Sequence, residues 1–97
     1  MDKDAEMLNN LGNQITDLQI KYRVLPLDEQ MAIHPALMRL LQEYSQYQSK
    51  LLMIGIITTD TDLDEIRAIK TAVNAAAKKM ELFTAIAKLI SFVTVRI

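Results

Sequence analysis

Three aspartates alternate along residues 60–64, and their spacing is the one motif in the sequence that suggests a metal ion. Asp60, Asp62 and Asp64 match the first, third and fifth positions of a calcium-binding loop. The sixth position is Glu65 where the sharp turn needs glycine, and the twelfth is Thr71 where a bidentate glutamate belongs. We therefore interpret the cluster as the amino-terminal cap of a helix.

The side chains that other chemistry requires are scarce. Histidine occurs once, as His34, and cysteine is absent, so a zinc or thiolate site lacks ligands. Ser45, Ser49 and Ser91 have no histidine at helical spacing, which argues against a nucleophilic triad. The two glycines stand far apart, so no glycine-rich phosphate loop is present. The sequence predicts no enzyme, no cofactor, no metal site and no small-molecule substrate.

Length and composition indicate a folded helical domain. The 97 residues predict a single domain, residues 1–97, and 51% of them are hydrophobic. The net charge of −1 gives no electrostatic footprint for nucleic acid. No signal peptide and no apolar run long enough for a transmembrane helix is evident, so a cytoplasmic location is the default expectation.

The apolar residues recur at alternating steps of three and four, which is the seven-residue repeat of helices that pack together. We predict helices over approximately 4–25, 35–57 and 62–93. The three series are Leu8, Leu11, Ile15, Leu18, Tyr22, Leu25; Leu37, Leu40, Tyr44, Tyr47, Leu51, Ile54; and Ile66, Ile69, Val73, Ala76, Met80, Phe83, Ala87, Ile90.

Prolines and capping residues set the predicted ends. Pro26 should end the first helix, and Pro35 suits the first position of the second. Thr61 with Asp64, or residue 62 with residue 65, has the spacing of a capping pair for the third helix. The β-branched stretch 55–59 between the second and third helices is ambiguous.

These elements predict an all-α fold, an elongated three-helix hairpin or bundle with coiled-coil-like heptad packing. At 1.5 Å per residue the third helix would measure about 48 Å, against about 33 and 34 Å for the others. Its carboxyl end, residues 82–97, carries a second apolar stripe. The neighbours should be too short to cover it, and exposed apolar patches of this kind mark interfaces.

The main functional hypothesis is a helical interaction or assembly module that self-associates or docks on another helical protein. The interface residues that the stripe predicts are Leu82, Phe83, Ile86, Leu89, Ile90 and Val93. The alternative is a membrane-active protein that inserts the 82–97 stripe at a lipid interface, since residues 61–97 carry six bases and four acids.

One short segment adds a further alternative. The run His34-Pro35, followed by Met38, Leu41, Gln42 and Tyr44, resembles the helical hairpin of type III secretion needle subunits. The resemblance covers residues 34–44 and the chain continues far beyond such a hairpin, so no residue role is carried over. It implies a secretion-apparatus subunit or a small chaperone.

Overall fold

Four helices follow one another along residues 2–97, the part of the chain that the computed structural model describes. They are α1 (Lys3–Arg23), α2 (Leu27–Ile54), α3 (Asp60–Ala75) and α4 (Lys79–Thr94). No strand occurs within these residues. The all-α prediction is therefore confirmed, whereas the prediction of three helices is wrong.

The second helix begins earlier than predicted and passes through a proline. α2 starts at Leu27, so Pro35 lies inside it and not at its first turn. A proline within a helix loses one backbone hydrogen bond and costs about 3 kcal/mol. Ile33 and Leu37, four residues apart, are both buried, and each such side chain contributes about 1.5–3 kcal/mol. Burial on both sides of Pro35 therefore offsets its cost. The helix ends at Ile54, three residues before the predicted end.

The predicted third helix, 62–93, is two helices. α3 ends at Ala75, and the backbone of Ala76 is extended, with φ −67° and ψ 127°. Glu81 then accepts hydrogen bonds from the amides of Ala77 (3.2 Å) and Lys78 (3.0 Å), which caps α4. A continuous helix would carry its apolar end past its neighbours. The break instead turns α4 back along the bundle.

The helices form an up-down-up-down bundle of 41 × 22 × 20 Å. α1 packs against α2 and α3, and α4 packs against the other side of both, so α2 and α3 occupy opposite corners. α1 runs parallel to α3, and α2 runs parallel to α4. Because α2 and α3 occupy opposite corners, the connection between them crosses one end of the bundle diagonally. The buried core draws on all four helices and includes Met7, Leu11, Leu18, Leu40, Tyr47, Ile66, Val73 and Leu89.

Asp4 holds this crossing connection in place. Its carboxylate is 8% exposed and accepts hydrogen bonds from the amides of Ile56, Ile57 and Thr58 and from the Thr58 hydroxyl (2.6 Å). Burial alone would raise the pKa of Asp4, but the hydrogen bonds from Thr58, Ile56 and Ile57 outweigh it and keep the pKa below its usual value. The first turn of α1 is thus an anchor for residues 56–58.

Candidate docking surface

Most of the predicted interface residues lie inside the protein. Leu82, Ile86, Leu89 and Val93 each have no exposed surface, because α4 turns back and lays this stripe against the other helices. The expectation that the chain is too short to cover them is wrong. It assumed one straight helix over 62–93. These four side chains cannot reach a partner, protein or lipid, unless α4 leaves the core.

Two of the predicted residues remain at the surface. Phe83 is 44% exposed and Ile90 is half-buried. Phe83 continues at four-residue spacing into Ala87, Ser91 and Val95, all exposed, and Val95 is 79% exposed. Residues three or four apart share a helix face, so these four residues and Ile90, three positions after Ala87, form one outward strip. We call this strip, Phe83, Ala87, Ile90, Ser91 and Val95, the α4 face.

A groove runs along each side of the α4 face. The groove toward α2 has a volume of about 590 Å³, and α2 supplies Pro35, Ala36 and Arg39 to its wall. The groove toward α3 has a volume of about 580 Å³, and Glu65 and Ile69 lie on its far wall. The small residues in the middle of the α4 face keep both grooves open. We call the first one the α2/α4 groove.

Basic side chains flank the α4 face. The Arg39 side chain is 62% exposed, and its Nε donates to Glu43 at 2.7 Å. The hydrogen bond from the Thr94 hydroxyl outweighs the opposing effect of burial on Glu43 and, with Arg39, holds the pKa of Glu43 below its usual value. On the α3 side, Lys88 is exposed beside the face. A partner with aliphatic residues and acidic flanks would complement this surface.

Arg96 closes the end of the groove toward α3. Its guanidinium lies 3.7 Å from the centre of the Phe92 ring and contacts both Asp62 and Glu65 at 2.9 Å. Burial alone would raise the pKa of Asp62, but hydrogen bonds from the Thr59 amide and from Arg96 lower it. This cluster fixes the end of α4 against the start of α3.

A second exposed apolar surface lies at the end of the bundle where α2 meets α3. We call it the tip, and it consists of five aliphatic residues: Leu52, Met53, Ile54, Ile56 and Ile57. Met53 is 85% exposed and Ile56 is 92% exposed. The sequence of residues 55–59 is ambiguous in secondary structure, and its pattern did not predict this surface. All five residues are apolar and only Gly55 separates them, so residues 52–57 have no polar face, and that was the available signal.

The acidic cluster acts as a cap and as a source of ion pairs. Thr59, two residues before the expected Thr61, caps α3: its hydroxyl accepts from the Asp62 amide (3.1 Å), and its amide donates to the Asp62 carboxylate (3.0 Å). The remaining aspartates pair with Lys3 and Arg67. Within residues 2–97, no group of three or more His, Cys, Asp or Glu side chains is placed to hold a metal ion.

His34 has a local partner. Its Nδ1 lies 3.1 Å from the hydroxyl of Tyr22, which joins the end of α1 to the beginning of α2. Pro35, the next residue, lines the α2/α4 groove.

No protein-family model matches the chain, and comparison with curated proteins and with solved structures gives no significant match. Across residues 2–97, no helix combines the length and apolar character needed to cross a membrane. The two exposed apolar surfaces and the charges beside them are therefore the features that point to a function.

Proposed function

We propose that this protein is a non-enzymatic helical assembly module, and that the α4 face is the surface through which it binds another protein. The single observation that carries the proposal is the combination of Phe83, 44% exposed, with an open groove on each side of it. A large exposed aromatic side chain beside a groove is typical of the anchor of a protein interface.

The shape of the α4 face favours a helical or extended aliphatic partner. Ala87 and Ser91 leave a shallow depression between Phe83 and Val95, so another backbone can approach closely. Arg39 and Lys88 on the two sides favour a partner segment whose aliphatic residues are flanked by Asp or Glu. These features support a protein partner over a lipid surface, since the stripe required for lipid insertion is buried.

Nuclear magnetic resonance tests the proposal directly. Backbone amide shifts would be recorded for the protein from micromolar to millimolar concentration, and again with helical peptides selected from a displayed library against the folded protein. We expect the shifts to move at the α4 face and at residues 36–39 of α2. The Ala87→Glu variant places a charge in the depression and should abolish these changes while the helical circular dichroism stays the same.

The matched control is Leu27→Asp, which charges a side chain that is 72% exposed and lies outside the α4 face and both of its grooves. It should bind like the parent protein. The proposal is wrong if neither self-association nor any selected peptide moves the α4-face amides, or if Ala87→Glu leaves the changes intact.

A further inference from the structure

The two most exposed large hydrophobic side chains within residues 2–97 both belong to the tip. Its most exposed members, Ile56 at 92% and Met53 at 85%, lie on either side of Gly55. Exposed aliphatic residues this close together are unusual for a surface that meets only water. They lie at one end of the bundle, in the last turn of α2 and in the connection that follows it.

The tip is held rigidly in this exposed arrangement. Gly55 has φ 73° and Ile56 has φ 54°, a left-handed conformation that a β-branched residue rarely adopts. The Asp4 carboxylate fixes it through the amides of residues 56–58. A surface that is already ordered loses little conformational entropy when it binds, so the tip is prepared for insertion into a groove.

Charge distinguishes the tip from the α4 face. Asp2 and Asp60 are exposed at the tip end of the bundle, and the Asp60 side chain is 82% exposed although it pairs with Lys3. Arg39 and Lys88 flank the α4 face. Lys3, Lys50 and Arg96 also lie at this end, but Lys3 pairs with Asp60, Lys50 donates to the Arg96 carbonyl and Arg96 pairs with Asp62, so Asp2 and Asp60 give the tip the acidic flank that the α4 face favours in a partner.

We propose that the partner of the α4 face is a second copy of this chain, whose tip enters the α2/α4 groove. The inference rests on the proposed function and identifies what occupies the α2/α4 groove. The tip and the groove are different patches, so the contact is heterologous: one copy contributes Met53 and Ile56, and the other contributes Phe83 and Ala87. A copy that has lost its tip still offers a groove, and a copy that has lost its groove still offers a tip.

This asymmetry gives a complementation test. The tip variant carries Met53→Glu with Ile56→Asp, and the groove variant carries Ala87→Glu; all three residues are exposed, so both variants should fold. Circular dichroism checks the fold, and sedimentation equilibrium from micromolar to millimolar concentration gives the mass. We expect the parent protein to exceed the monomer mass as concentration rises and each variant alone to remain a monomer.

An equimolar mixture of the tip variant and the groove variant should restore a complex of twice the monomer mass. Leu27→Asp should associate like the parent protein. Ile56→Gly, which removes the side chain and relieves the left-handed strain, should associate more weakly than the parent although its fold is no less stable.

The possible failures separate the two proposals. If the tip variant associates like the parent while the groove variant does not, the tip is not the occupant and the α4 face remains the docking surface. If the mixture stays monomeric, or the parent protein is a monomer throughout, the tip inference is overturned. In that case the peptide arm of the nuclear magnetic resonance experiment still decides the proposed function.

Discussion

The Thr58 hydroxyl lies 2.6 Å from the carboxylate of Asp4, which precedes it by 54 positions in the chain. Thr58 and Asp4 are both buried, at 7% and 8% exposure. The contact links the first turn of α1 to the connection that brings α2 across to α3. It therefore closes the end of the bundle and fixes the shape of the tip.

Replacing Asp4 with asparagine should destabilise the protein. The amide cannot accept from three backbone N–H groups and a hydroxyl as a carboxylate does, and hydrogen bonds to charged groups contribute about 1.5–3 kcal/mol each. We expect Asp4→Asn to lower the free energy of unfolding by about 2–3 kcal/mol, measured by urea denaturation. Asp60→Asn is the control: its ion pair is exposed, so its effect should stay below about 1 kcal/mol.

The Asp4 carboxylate should also make the free energy of unfolding depend on pH in the acidic range. The pKa of Asp4 is lower in the folded chain than its ordinary value of 3.8, which the unfolded chain retains. The stabilisation is therefore complete above the unfolded pKa and is lost as the pH falls through the folded pKa. Glu43 and Asp62, whose pKa values are also lowered, act in the same direction.

Urea denaturation at about pH 7, 4 and 3 checks this expectation. The parent protein should lose stability over the acidic part of the range, and Asp4→Asn should lose less, because its side chain does not titrate. Equal losses in the two proteins would show that Asp4 does not contribute to the acid dependence.

The cap of α3 gives a test with a built-in comparison. Both Thr59 and Thr61 are exposed, but it is the Thr59 hydroxyl that caps the helix by accepting from the Asp62 amide. Thr59→Ala should cost about 1 kcal/mol, and Thr61→Ala should be within about 0.5 kcal/mol of the parent. Thermal unfolding measures both. If Thr61→Ala were the more damaging change, the capping pair expected from sequence would be the one that matters.

The spacing of apolar residues was enough to predict helices and much of the core. In α1 the predicted positions Leu11, Ile15 and Leu18 are buried. The pattern does not predict that Gln14 is buried. Gln14 is 3% exposed, and its side-chain amide donates to the Ile66 carbonyl at 2.9 Å. A buried polar residue of this kind depends on a partner 52 positions away, and sequence periodicity contains no information about that partner.

The break between α3 and α4 was missed because the apolar spacing continues across it. Ala76 and Met80 extend the series without interruption, and alanine favours helix. Glu81 was the local signal, as a residue that can cap the amides of 77 and 78, but it competes with an equally acceptable continuous helix. The gain from turning back, which buries Leu82 and Ile86, arises only in the folded bundle. For the same reason the sequence did not show that Leu82, Ile86, Leu89 and Val93 are buried.

Pro35 offers a stabilising substitution. Alanine at this position would restore an amide to the interior of α2, where proline has none. We expect Pro35→Ala to raise the free energy of unfolding by about 1–2 kcal/mol, less than the full helix penalty because proline also restricts the unfolded chain. Pro26→Ala, at the N-cap of the same helix, should give no such gain. A destabilised Pro35→Ala would show that Pro35 contributes more through its groove contacts than it costs the helix.

Phe83 and Ile86 lie three residues apart on α4, and their substitutions should separate folding from association. Ile86 is fully buried, so Ile86→Ala should lower the free energy of unfolding by about 2–5 kcal/mol and leave the association of the remaining folded protein unchanged. Phe83, 44% exposed, should show the reverse: Phe83→Ala should cost at most about 1–2 kcal/mol of stability and weaken self-association or peptide binding at least tenfold. Urea denaturation and sedimentation on the same samples measure both properties. Loss of association on Ile86→Ala with its fold intact would mean that α4 leaves the core to bind, and the docking surface would then be the buried stripe.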